Sequence, residues 1–139
     1  MRNLSTNLKV LFLSSLTFAF SYIKAQNTDA KSENWQVFEY NELEKKLKET
    51  DRPYLPFLNK PTLRTGLYVL KAGATDKQEP HKLDEVYYII SGKAKFKVEN
   101  DETEVQAGSV IFVKAQASHR FFDIEEELKI LVFFSEAKP

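Results

Sequence analysis

The run Lys93-Ala94-Lys95-Phe96-Lys97-Val98 alternates charged and apolar side chains without a break. An extended strand puts successive side chains on opposite faces, so the three lysines point to water while Ala94, Phe96 and Val98 point to a core. This segment sits in a series of similar length. Residues 63–70 form one strand-like run. Residues 86–90 form a second, stopped by Ser91-Gly92. Residues 100–102 make a hairpin turn, the return begins at 103–105, and Ala107-Gly108 turns the chain again. Residues 110–113 read as a buried strand, 118–122 as a short one, and 128–134 as a last strand, apolar on both faces. No long helical pattern separates these runs, so they imply an antiparallel sandwich or barrel.

The preceding segment is less regular. Residues 35–40 largely alternate, a strand signature. Asn41 is placed to cap a short helix running to about Glu49, with Glu42 and Glu44 first and Lys45, Lys46 and Lys48 after them, an order that suits the helix dipole. Asp51-Arg52-Pro53 ends it. Residues 54–58 are apolar but broken by Pro56, which excludes a central strand and suggests a packed loop or lid.

The chain has 139 residues and no cysteine. That excludes disulfides, thiolate metal sites and a Cys nucleophile. Its 20 basic and 20 acidic residues cancel, which argues against nucleic-acid binding. Residues 1–25 read as a secretory signal. Arg2 and Lys9 supply the positive start, residues 10–20 the apolar stretch, and Ala25 the small residue before cleavage. An uncleaved anchor is the alternative. Residues 26–34 read as a polar tether, and residues 35–139 as the folded domain. Cleavage after Ala25 leaves 17 basic and 20 acidic residues, a net charge of −3. The expected protein is exported, to a periplasm or beyond, and has no stable membrane span after cleavage.

Chemistry concentrates on the two histidines, His81 and His119. In an extended segment Glu79, His81, Glu85 and Tyr87 share one face. Carboxylates and imidazoles inside an aromatic-lined barrel need partners, and a metal ion is a common one. Two His and a carboxylate with open positions suit iron(II), manganese or zinc. The plainer reading is an exposed or hydrogen-bonded His, with Glu85 paired to a lysine.

The segment from Gly73 to Gly92 resembles the first motif of the cupin family at Gly73, His81, Glu85 and Gly92, with Glu79 in place of the first His. Gly108 and His119 match the second motif; Lys114 and Gln116 replace its Pro and Gly, and Asp123 stands where Asn is usual. The resemblance implies a jelly-roll β-barrel, here all-β with a short N-terminal helix, and a divalent metal near one mouth. It also implies a frequent homodimer. His81, Glu85 and His119 carry over as ligands. Glu79 carries over by position, with Gln78 as the alternative fourth ligand. The expected cavity wall is Tyr87, Phe96, Phe112, Phe121 and Phe133, and Glu79 and Tyr87 are the groups left for acid–base work. Three functions compete: a metal-dependent dioxygenase or isomerase of a small organic molecule, a non-catalytic binding module for metal or small ligand, and a metal-free structural barrel.

Overall fold

The computed structural model describes residues 34–135. The leader and tether readings (1–25 and 26–34) therefore fall outside the described residues, save Asn34. The element order is α1 (Tyr40–Lys48), β1 (Tyr54–Lys60), β2 (Leu63–Leu70), β3 (Glu85–Val98), β4 (Asp101–Gln106), β5 (Val110–Val113) and β6 (His119–Ser135). All pairings are antiparallel. The sheet order is β1-β2-β6-β3-β4, and β5 pairs the first half of β3. This is the antiparallel jelly-roll barrel that the strand rhythm and the family resemblance imply.

The second half of β2, Leu67 to Leu70, is covered on both faces, which explains its unbroken apolar run. Tyr68 and Leu70 join the barrel interior, while Leu67 packs with Leu43 and Leu47 of α1 on the outer side. Leu43 and Leu47 are one helical turn apart and so present one stripe. The helix starts earlier than the sequence suggests. Its N-cap is Glu39, which makes no side-chain cap hydrogen bond, and Asn41 lies inside the helix. Residues 35–39 form no strand. At the other end Thr50 Oγ1 donates to the Leu47 carbonyl at 2.8 Å, satisfying a group the helix leaves open.

Pro56 lies in a strand after all. β1 is an edge paired only to β2, and the register shifts between Pro56 and Leu58. An edge strand with a bulge tolerates the missing N–H. The expected breaks inside the later strands are also bulges. Through Ile89 the buried positions of β3 are odd-numbered (Glu85, Tyr87, Ile89); from Ala94 they are even-numbered (Ala94, Phe96). The register slips between Ile89 and Lys95, and Gly92 sits at φ 96°. One extra residue flips every later side chain to the opposite face. β6 makes the same exchange, from His119 and Phe121 to Ile124, Leu128, Ile130 and Val132. Two continuous bent strands thus replace four short ones.

Residues 110–113 are a strand but not a buried one: Val110 and Phe112 are 68% and 64% exposed. Phe112 pairs with Val86, and Val86 with Phe133, so these three share the outer face. Phe134, not Phe133, packs on the interior cluster. The lysines of the alternating run do face outward, where Lys93, Lys95 and Lys97 pair with Glu125, Asp123 and Glu102. Exposed pairs of this kind contribute little stability.

Candidate metal centre

Glu85 opens β3 and pairs with Phe134; His119 opens β6 and pairs with Val98. The two residues thus stand at opposite ends of one ladder. Even so, His119 Nε2 lies 3.0 Å from Glu85 Oε1. The bend at the bulges closes the ladder on itself and brings its ends together. His81 arrives from the loop between β2 and β3, with Nδ1 2.9 Å from the same Glu85 oxygen. Its ring stands edge-on to Phe134 at 5.0 Å. Two contacts pin this loop to the turn before His119. The Gln116 N–H donates to the His81 carbonyl at 2.7 Å, and the Ala115 N–H donates to Asp84 Oδ1 at 2.8 Å.

Glu85 and His119 are buried, 1% and 4% exposed, and His81 is partly exposed. Burial pushes the Glu85 carboxyl up, but hydrogen bonds from His119, Tyr87 and His81 outweigh it and hold the group below its ordinary value. Burial pushes His119 down, but its bonds to Glu85 and to the Ala117 carbonyl reverse the sign and raise it. The Tyr87 phenol is driven far up by burial and by the Glu85 charge, so it acts as a donor and not as a phenolate. Its single proton has three acceptors within reach, Glu85 Oε2 at 2.7 Å, the Nε2 of a neutral His119 at 2.8 Å and Gln78 Oε1 at 2.9 Å. The shorter bond to the charged acceptor prevails.

The donor set fits a cation. His119 Nδ1 lies 2.8 Å from the Ala117 carbonyl, which assigns the proton of the neutral ring to Nδ1. The Nε2 lone pair then faces Glu85 Oε1 and, at 2.8 Å, the Tyr87 oxygen. Two acceptors facing each other repel unless a proton or a cation lies between them. The ligand atoms of His81, Glu85 and His119 all lie within 4.8 Å of one another, a group able to hold a metal ion. Two imidazoles and one carboxylate match the preferences of iron(II), manganese and zinc.

Other expected residues fall differently. Glu79 is exposed and stands outside that trio, because residues 71–84 form an irregular loop and not the extended segment that would turn it inward. Gln78 does reach the cluster, through Tyr87. Sequence reasoning missed Asp76, which is 7% exposed. Asp76 accepts hydrogen bonds from the Tyr68 hydroxyl at 2.6 Å, the Phe121 N–H at 2.9 Å and Gln78 Nε2 at 2.7 Å. It thereby turns the Gln78 amide oxygen toward Tyr87. Asp76 also accepts the Gln78 N–H at 3.1 Å, an Asx turn that fixes the local backbone.

A cavity of about 380 Å³ adjoins the trio. Tyr54, Tyr68, Tyr87, Val132 and Phe134 form its walls, and Lys77, Gln78 and His81 add polar groups. Its size lies in the range of small-molecule sites.

The cupin domain family model matches residues 66–134. An uncharacterized protein of Streptomyces coelicolor is 44% identical over 100 residues, covering 72% of this chain and 95% of that one. Among solved structures, a cupin superfamily protein from Desulfitobacterium hafniense DCB-2 superposes with TM-score 0.53 at 16% identity, over 60% of this chain and 76% of its own. A salicylate 1,2-dioxygenase variant from Pseudoaminobacter salicylatoxidans, in complex with gentisate, gives TM-score 0.62 at 17% identity over 70% of this chain and 32% of its own. The strand order, the motif positions of both histidines and these likenesses agree: the chain belongs to the cupin family.

Proposed function

We propose that the protein holds one divalent metal ion, iron(II), manganese or zinc, on His81, Glu85 and His119, and uses it on a small organic molecule in the adjoining cavity. The reaction classes that fit are dioxygenation and isomerisation. The observation that carries this reading is the nearly solvent-free Glu85–His119 pair, joined by His81 beside an apolar-walled cavity. A bound ion of this kind supplies Lewis acidity or the means to activate dioxygen.

The chain's own residues do the rest. The Ala117 carbonyl holds the His119 ring so that Nε2 is the free nitrogen. The Tyr87 hydroxyl occupies Glu85 Oε2 and leaves Oε1 to the two histidines. Outer partners of this kind fix ligand orientation. The aromatic walls exclude water from the reacting molecule. Glu79 is exposed and does not line the cavity, and the Tyr87 hydroxyl orients Glu85. In keeping with the leader-like residues 1–25, the work is done outside the cytoplasm; the family resemblance implies a homodimer.

Elemental analysis of protein purified without chelator and reconstituted with each metal tests the reading, with the His81→Ala/His119→Ala double variant as control. The expected result is about one metal per chain, lost in the variant. Equal metal content in both proteins, or none in either, overturns it. A non-catalytic binding module is the second reading. It is favoured by how fully the Tyr87 hydroxyl is engaged with Glu85 and His119, which takes that group away from acid–base work on a ligand. One metal per chain with tight ligand binding and no turnover would establish it.

A further inference from the structure

The charged side chains that line two adjoining cavities are all basic. The cavity beside the trio shares Tyr54, His81 and Phe134 with a second cavity, of about 550 Å³, which opens next to it. The formally charged residues lining the two are Lys77, Arg64 and Lys82, and neither lining includes a carboxylate. The chain as a whole has as many acids as bases, so this bias is local. Lys77 and Lys82 are exposed, and among the described residues no ion pair is recorded for either. Beneath them the walls are aromatic and aliphatic.

We propose that the cavity takes a small organic carboxylate with an apolar body. The body lies against Tyr54, Tyr68 and Phe134, and the carboxylate is held by Lys77, which lines this cavity, and Lys82, which lines the adjoining one. Apolar walls with a few convergent polar groups suit a ligand amphipathic in this way. The volume of about 380 Å³ is near the low end for small-molecule sites, which limits the body to one ring or a short chain. Cations on two adjoining cavities of low polarity also concentrate anions at their mouths. This inference rests on the proposed function for the site's purpose but not for its charge, so the two are separable.

The test is equilibrium binding of benzoate and hexanoate against benzamide and hexanamide, on metal-free and metal-loaded protein, with metal content measured in parallel. Inorganic phosphate serves as the control for a simple anion. The expected result is that at least one carboxylate binds about tenfold more tightly than its amide and more tightly than phosphate, in both forms of the protein. Lys77→Gln and Lys82→Gln should each weaken carboxylate binding by about three- to fivefold, leaving the amides and the metal content unchanged. The preference should also shrink as salt rises from low to high concentration. Equal binding of carboxylates and amides overturns the proposal, and so does binding of neither. A carboxylate preference seen only with metal, and untouched by the lysine substitutions, also overturns it, since the ion and not the lysines would then hold the head group. Carboxylate binding in a protein that takes up no metal would refute the proposed function and leave this inference standing.

Discussion

Replacing Tyr87 by Phe removes one oxygen atom and keeps the ring, with its contacts to Phe96 and Phe121, in place. The oxygen lies 2.7 Å from Glu85 Oε2, 2.8 Å from His119 Nε2 and 2.9 Å from Gln78 Oε1. A hydrogen bond to a charged group contributes about 1.5–3 kcal/mol. The ring keeps its shape, so no large cavity adds to that figure. A loss of about 2 kcal/mol lowers the melting temperature of a domain of this size by about 8–16 °C. The pH dependence identifies the cause. The Glu85 carboxyl is held below its ordinary value of 4.5 in the folded protein, despite burial, by its hydrogen-bond donors. Its contribution to stability is therefore present above that value and lost as pH falls through the folded pKa. Loss of the Tyr87 donor moves the folded pKa back up and shortens this window. In metal-free protein, urea unfolding followed by circular dichroism should show the full difference well above the ordinary carboxyl value of 4.5 and a narrowing difference as pH falls through the folded pKa. A difference under about 0.5 kcal/mol at pH 6, or one that stays constant to pH 3, would refute the assignment of the hydroxyl to the carboxylate.

Further expectations follow from the same contacts. The raised pKa of His119 means that its stabilising effect in metal-free protein is full below 6.5 and is lost as pH rises through the higher folded value. Metal uptake needs Nε2 deprotonated, so stabilisation by added zinc should grow over that same rise, with proton release visible in a weakly buffered titration. Gly92→Ala should destabilise by about 3 kcal/mol or more, because a Cβ at φ 96° would run into the backbone of Glu127; thermal unfolding reads it directly. Gln116 stands at φ 69°, where a side chain is strained, so Gln116→Gly should stabilise by up to about 1 kcal/mol in the same assay.

The histidines were legible because there are only two and each fell on a motif position. Their meeting at Glu85 needed no further information than the fold. The alternating run was legible for a different reason: lysines facing water against Ala94 and Phe96 facing inward is a pattern that a helix cannot reproduce. The bulges were not. A period of two, read across Ser91-Gly92, looks like the end of one strand and the start of another, because both the stop and the phase change are present. Pro56 misled in the same way, since a missing N–H excludes only the strands that need it. Residues 35–39 alternate over too short a stretch to define a strand without a neighbour. Asp76 was invisible as a site residue because its role depends on the Tyr68 hydroxyl and the Phe121 N–H, contacts that only the closed barrel creates. Glu79 does not share the face of Glu85 and Tyr87, because strand alternation does not extend into the irregular segment that carries it.

Gly66 touches neither cavity, yet it helps set their size. It lies in β2 opposite Pro56, and the Tyr54 ring rests where its side chain would be. Tyr54 in turn is a wall common to both cavities. A methyl group at position 66 would displace the ring, and the wall would move with it. The dimensions of the ligand space are therefore partly encoded one layer behind its surface. Among relatives of this chain, a change at that single backbone position would retune which molecules fit while every lining residue stayed the same.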